Sequence, residues 1–316
     1  MTSTQRIGND ESNFWIYDPD TGLTDLSRDA PPKQPLLTVQ TTTSPIRLNP
    51  ATTALLIIDM QNFFLSPAVR PRINSQQPSP AEAAAQALLH TGIPAARAHG
   101  IRTIWLNWGL TEQDLATMPP STMRLFGSYG AIPPEAQSQT PSPSEAKKLT
   151  PSAPNMIRVK NPALYRGLGT DLGAVMVGRG ESVQAGRALM RESWNAALYG
   201  PLEKVYCAGV GGDAKARPDV LVYKNRVSGL CLPGSELERF LEREGVTTLL
   251  FAGVNTDQCV GGTLMDACNK GYDCILLRDG SATATPFGAS EAWEWNIMNC
   301  WGWVTTCEAL KDGIMS

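Results

Sequence analysis

The sequence predicts an α/β fold in three layers: an open parallel six-stranded sheet with helices on both faces. Three observations carry this expectation. Short unbroken apolar runs, such as Ala54-Leu55-Leu56-Ile57-Ile58 and Leu249-Leu250-Phe251-Ala252, suit strands covered on both faces. Segments of helical spacing, several with start or stop signals, separate those runs. A strand, helix, strand order within one sheet then demands right-handed parallel crossovers. With 316 residues the chain can bury a full core.

Residues 1–50 are polar and turn-rich and read as an N-terminal arm. Its aromatic cluster, Asn13-Phe14-Trp15-Ile16-Tyr17, is placed to anchor it on the main body or on a second subunit. Residues 51–316 read as one domain, opened by the strand Ala54–Ile58, which ends at Asp59. Ser79-Pro80 joins a capping residue to a first-turn proline and starts a helix over residues 81–98, which Gly100 stops. Ile101–Leu106 is the second strand. From about 109 to 191 prolines recur without periodic apolar segments. This insertion can be a lid, an interface or a spacer. A helix carrying Trp194 is expected around Leu189–Leu198. Asp219–Tyr223 forms a strand ending at Lys224, and Ser235 caps a helix with Leu237, Phe240 and Leu241 on one face. The strand before Gly253 leads through a polar turn into a helix that stops at Lys270-Gly271. Strand Asp273–Leu277, a helix near Ala289–Met298 and strand Trp303–Thr306 complete the six.

Bulk properties narrow the function. The formal net charge is -3, with no basic run, which argues against nucleic acid or an anionic membrane as partner. No stretch is apolar and long enough to span a bilayer, and residues 1–20 lack the apolar core of a signal peptide. Seven cysteines without a C-x-x-C pair fit reduced thiols and a cytoplasmic setting. Gly209-Val210-Gly211-Gly212 lacks dinucleotide-binding spacing, and no Gly-x-Ser-x-Gly elbow occurs, so no cofactor is expected. The expected partner is a small-molecule substrate.

In an open parallel sheet the loops after the strands gather along one edge, where ligands bind. Asp59, Lys224 and Cys259 each follow a predicted strand. Cys259 also opens a helical segment, where free N–H groups and the helix dipole are expected to lower a thiol's pKa. Singly, each has a plain structural reading: a core thiol, a turn carboxylate, a solvated lysine. Together they supply a nucleophile, a base and an electrostatic partner. His90 and His99 lie on a helix running back toward the opposite edge, which leaves Asp59 as proton acceptor.

Three stretches carry a resemblance: Ala54 through Asp59-Met60-Gln61-Asn62-Phe63, Lys224-Asn225-Arg226-Val227-Ser228-Gly229, and Gly253-Val254-Asn255-Thr256-Asp257-Gln258-Cys259-Val260. With Asp279-Gly280-Ser281-Ala282, they resemble the isochorismatase-like cysteine hydrolase family, which includes nicotinamidases, ureidoacrylate and carbamoylsarcosine amidohydrolases and isochorismatases. The resemblance covers residues 53 to about 109 and 193 to about 310. It implies a catalytic triad of Asp59, Lys224 and Cys259, a cis Val254–Asn255 peptide, and an oxyanion hole made by the Asn255 and Cys259 amides. It also implies hydrolysis of a C–N bond in a small amide, ureide or carbamoyl compound through an acyl-thioester, and a homodimer or homotetramer. Two other functions are compatible: an isochorismatase-type vinyl-ether hydrolase, against which Cys259 argues, and a non-catalytic binding scaffold.

Departures from the family pattern matter too. Nicotinamidases carry an Asp-x-His-x-His metal site near the second strand, where this chain has Trp105-Leu106-Asn107-Trp108-Gly109-Leu110. A metal-free pocket is therefore expected. Phe63, Phe64, Asn107, Trp108 and Trp194 are candidate substrate-lining residues, each with core packing as its alternative.

Overall fold

A computed structural model describes residues 4–28, 35–70, 77–127, 167–212 and 217–316. Its main sheet has six strands: β1 (Thr53–Ile58), β2 (Arg102–Trp108), β3 (Val220–Lys224), β4 (Thr248–Val254), β5 (Asp273–Ala282) and β6 (Trp303–Thr305). Their spatial order is β3-β2-β1-β4-β5-β6, and every pairing is parallel. The chain thus winds outward from β1 to β3, returns to the middle at β4, and winds outward the other way. The reversal lies between β1 and β4, the switch point where doubly wound sheets open a crevice.

Both faces of this sheet are buried, as its unbroken apolar runs require. Ala54, Leu56, Ile58, Leu106, Leu249 and Phe251 face one core, and Leu55, Ile57, Trp105, Leu250 and Ala252 face the other. Those sets alternate along each strand, the period-2 pattern of a pleated sheet. Helices α1 (Pro80–Ala87) and α2 (Ile93–Ala98) cover the second face, joined by a single π-turn at Leu88–Gly92. The start of α1 is a reciprocal capping box, in which Ser79 Oγ accepts from the Glu82 amide and Glu82 Oε2 accepts from the Ser79 amide. Helix α3 (Gly200–Val210) adds Leu202 to that face. Helices α4 (Glu236–Arg243) and α5 (Gly261–Asn269) cover the first, through Leu237, Phe240, Leu241, Leu264 and Ala267.

The helix expected at 189–198 does not form. Leu189 and Glu192 take positive φ, and only Trp194–Ala196 makes a 3₁₀ turn. The buried Asn195 side chain explains it: its amide accepts from the Leu189 N–H at 2.8 Å and donates to the Ala185 and Arg187 carbonyls. Side-chain bonds to backbone replace the helical ladder there. The apolar spacing at Leu189, Ala196 and Leu198 reflects burial in a coiled loop. Of the 109–191 insertion, residues 128–166 lie outside the described residues. The rest holds short helices at Glu112–Ala116 and Pro120–Leu125 and a hairpin, Ala174–Gly178 with Glu181–Gln184.

The N-terminal fifty residues contribute five short strands to a second sheet, whose last strand is Ile314–Met315 near the C-terminus. Leu37, Val39, Ile46 and Leu48 from it are buried with Leu55 and Ile57. Trp15 packs edge-on against Trp303, with ring centroids 5.0 Å apart. Beneath it, Asp273 at the start of β5 receives Trp15 Nε1 at 2.7 Å, Arg28 at 2.6 and 2.8 Å, and Thr248 Oγ1 at 2.9 Å. The Arg28 and Asp273 side chains are almost wholly buried. Replacing Asp273 by Ala would strand a buried guanidinium, so Asp273→Ala should cost about 3–5 kcal/mol of folding free energy. Urea unfolding measures it, and a loss below about 1 kcal/mol would show that this contact does not anchor the segment.

Candidate active site

The C-terminal ends of four adjacent strands, β3, β2, β1 and β4, each deliver one residue to a common point. Lys224 closes β3, Trp108 closes β2, Asp59 follows β1, and Cys259 lies in the π-turn Thr256–Val260 after β4. The close approach of β1 and β4 depends on Gly253, whose φ is +117°. A Cβ there would sit 2.0 Å from the Ile58 carbonyl oxygen, which no side chain tolerates.

Lys224 Nζ lies 3.0 Å from Asp59 Oδ2 and 3.4 Å from Cys259 Sγ, and it donates to the Arg226 carbonyl at 3.2 Å. The contacts to Cys259 and Arg226 are hydrogen bonds, and that to Asp59 is an ion pair. The same nitrogen stands 4.0 Å from the centroid of the Trp108 ring. Asp59, at φ +56°, turns the chain back so that its own N–H donates to the Leu106 carbonyl. Its Oδ1 accepts from the Trp108 backbone N–H at 3.2 Å, a donor shared with Gln61 Oε1 at 3.1 Å. Gln61 Nε2 donates to the Trp108 and Ala196 carbonyls, so this buried amide clamps β1 to β2. On the other side, Thr263 Oγ1 donates to the Cys259 carbonyl and accepts from the Gly229 N–H, fastening the Cys259 turn to the lysine loop.

The loop after β5 braces the turn that precedes Cys259. The Val254–Asn255 peptide is cis. Asn255 Oδ1 accepts from the Ala284 N–H, Gln258 Nε2 donates to Thr285 Oγ1, and Thr283 Oγ1 donates to Asp257.

All three side chains are buried, with Asp59 0%, Lys224 5% and Cys259 6% exposed. Burial sets the electrostatics. It pushes the Cys259 thiol up to about 12, aided by the neighbouring Asp59 carboxylate, while Lys224 and Trp108 pull it down without prevailing. Burial likewise holds Asp59 above the ordinary carboxylate value, against the pull of Lys224. This corrects the expectation of a lowered thiol pKa: loss of hydration outweighs whatever a single π-turn offers an anion. At neutral pH the resting sulfur is a thiol beside the Asp59 carboxylate.

The other candidates separate. Trp108 lies against Lys224, and a cluster of aromatics adjoins it: Phe126 packs edge-on against Trp108 at 5.1 Å, with Phe63 and Phe64 beyond. Phe63 is fully buried in that cluster. Asn107 projects from the face of β2 opposite Trp108, so the two form no common wall. Trp194 packs partly buried against the same core, and its carbonyl accepts from Asn62 Nδ2. A cavity of about 280 Å³ adjoins Lys224 on the side of Arg191, Tyr223 and Asn225, and Cys259 is not among its lining residues. His90 bonds Gln86 and His99 bonds the Leu310 carbonyl. Among the described residues no three His, Cys, Asp or Glu side chains gather as metal ligands, and the Trp105–Leu110 stretch offers no imidazole. These residues do not fit a nicotinamidase-type metal.

Sequence reasoning missed Gln61, Thr263 and Phe126. Only Gln61 left a signal, as part of the first stretch that carries the family resemblance.

A protein-family model for the isochorismatase domain matches residues 190–309, which include Lys224 and Cys259. The chain is 25% identical over 273 residues to the ureidoacrylate amidohydrolase RutB of Methylobacterium radiotolerans, covering 85% of this chain and 82% of that one. It is 27% identical over 254 residues to RutB of Azorhizobium caulinodans, covering 80% and 86%. Residues 190–309 thus carry an isochorismatase-like domain. Two solved structures share the fold: an isochorismatase family protein from Desulfovibrio vulgaris (TM-score 0.50, 21% identity, covering 83% of this chain and 97% of that one) and a cysteine hydrolase from Pseudomonas syringae (0.52, 17%, 89% and 99%).

The buried thiol makes a direct chemical forecast. At pH 7.5, iodoacetamide should label the exposed Cys207 well before Cys259, and Cys259 labelling should climb steeply toward alkaline pH. Lys224→Met should slow it further, since it removes the main group that lowers the thiol. Peptide-resolved mass spectrometry reads both rates. Full Cys259 labelling at pH 7 ahead of Cys207 would contradict the electrostatics described above.

Proposed function

We propose that this protein is a cysteine-dependent amidohydrolase that cleaves a non-peptide C–N bond in a small amide, ureide or carbamoyl compound. The coarser part, amide hydrolysis, rests on the isochorismatase-domain match and on the two RutB relatives, which are named amidohydrolases. The finer part rests on one observation, the convergence of Asp59, Lys224 and Cys259 within 3.0 and 3.4 Å.

The steps follow from that contact. Asp59 takes the Cys259 proton as sulfur attacks the carbonyl carbon, so proton transfer and attack are coupled and no standing thiolate is required. The Asn255 and Cys259 backbone amides hold the developing oxyanion, a role in which losing one donor typically costs about 2.7–4 kcal/mol of barrier. Asp59 returns the proton to the departing nitrogen, and the C–N bond breaks to leave a thioester. Water, deprotonated by the same carboxylate, releases the acid and restores the thiol. Lys224 stabilises the negative charge that passes between Asp59 and the sulfur.

Ammonia release from a panel of primary amides, ureides and carbamoyl compounds tests the assignment. Cys259→Ala should lose turnover by at least about 10⁴-fold with the fold retained, and Asp59→Asn should lose about 10²–10⁴-fold. A quenched reaction should show the acyl group on Cys259 by mass. Undiminished turnover in Cys259→Ala would refute the mechanism.

pH dependence follows from the raised Asp59. The carboxylate must be ionised to accept the proton, so kcat/KM should fall as pH drops, with a midpoint above the ordinary carboxylate value of 3.8. A pH–rate profile on the best substrate of the panel measures it, and a midpoint at or below 3.8 would contradict the role given to Asp59.

A further inference from the structure

Two tryptophans of β2 are wholly buried, and they differ in one respect. Trp105 Nε1 donates to Asp219 Oδ2 at 2.8 Å, the usual state of a buried indole. Trp108 Nε1, equally shielded from water, has no hydrogen-bond acceptor among the described residues. An indole N–H can only donate. The Lys224 ammonium, 4.0 Å from the Trp108 ring centroid and 3.4 Å from the Cys259 sulfur, places indole and thiol side by side. A side-chain hydrogen bond from Trp108 is among the influences that lower that thiol, yet at rest the contact falls short of full hydrogen-bond geometry.

The rest of Trp108 is held in place. Its backbone N–H bonds Asp59 and Gln61, its carbonyl accepts from Gln61, its ring face lies under the Lys224 ammonium, and Phe126 packs against it. A ring gripped on these sides has a fixed direction for its one polar atom.

We infer that the Trp108 indole N–H donates a hydrogen bond to the Cys259 sulfur as that sulfur becomes negative, making Trp108 a fourth functional group of the site. A neutral thiol is a weak acceptor, whereas bonds to ionised acceptors are shorter and stronger. The contact therefore strengthens only when the S–H bond breaks. At that point the proton forms an O–H bond on Asp59 and the electron pair stays on sulfur, so no other reactant is needed. An interaction stronger in the transition state than at rest is the kind that speeds a reaction. Core packing would instead ask nothing of the nitrogen, and a substrate-binding role would act on substrate affinity alone.

The inference rests on the cysteine mechanism proposed above, but its test needs no substrate. Trp108→Phe keeps an aromatic face for Lys224 and the backbone N–H. Benzothienylalanine at position 108 keeps the two-ring shape and replaces only the N–H by sulfur. Cys259 alkylation by iodoacetamide at pH 9 would be followed by peptide mass, with Cys207 in the same sample as control. In both variants Cys259 should react about tenfold more slowly, the equivalent of about one pKa unit, while Cys207 is unchanged. On an active substrate kcat should fall by a similar factor with KM nearly constant. Alkylation at the wild-type rate in the benzothienylalanine variant would overturn the inference, whether or not KM rises. Should Trp108→Phe fail to fold, the isosteric variant decides alone. Full turnover by Cys259→Ala would remove the cysteine mechanism whatever Trp108 does to alkylation, so the two failures are separable.

Discussion

The site is built around one buried cation. An ammonium taken out of water costs several kcal/mol even after relaxation, and Lys224 recovers it through neighbours supplied by separate parts of the chain. Asp59 offers an opposite charge, Cys259 a polarisable sulfur, Arg226 a carbonyl and Trp108 a π-face. Three of those groups are in turn fixed by something else: Asp59 by the Trp108 amide, Trp108 by Gln61, Cys259 by Thr263. The interior tolerates the charge only while this set stays assembled. The geometry needed for chemistry is thus also the geometry needed for folding.

The same burial shapes how a thiol can react there. With Cys259 pushed up to about 12, the fraction ionised at neutral pH is negligible. With Asp59 raised as well, the carboxylate is a stronger base than one in water. The two shifts are complementary, because a strong base beside a weak acid passes the proton only when something else consumes the sulfur's electron pair. In the proposed mechanism a substrate carbonyl does that. The resting enzyme is thereby protected from stray electrophiles and oxidants, which react with thiolates.

Much of this was legible in the sequence, for identifiable reasons. Unbroken apolar runs located β1 and β4, and side chains just past strand ends could be assigned to one edge because a parallel sheet has only one such edge. The signals failed where burial and tertiary contact, rather than period, decided the outcome. Leu189–Leu198 has apolar spacing, but the buried amide of Asn195 holds it as a coil. The Cys259 turn suggested an acidified thiol, since position after a strand is readable and depth below the surface is not. Trp108 looked like core or pocket wall because a tryptophan ending an apolar strand carries no mark of its unpaired nitrogen. The N-terminal segment hid its sheet in strands of three or four residues.

Strand order explains why the four residues come as a group. β3 and β4 are separated by two intervening strands, roughly 14 Å at ordinary spacing, yet Lys224 and Cys259 touch. The lysine must cross the ends of β2 and β1 to arrive. Whatever caps β2 becomes the floor of that crossing, and whatever caps β1 becomes its destination. A small residue in place of Trp108 would leave the ammonium over a void, and an apolar one in place of Asp59 would leave it without a counter-charge. The Cys259 turn closes the remaining gap because Gly253 lets β4 approach β1 more closely than any side chain would allow. The site is therefore a consequence of the β3-β2-β1-β4 order, with one residue demanded at the end of each strand.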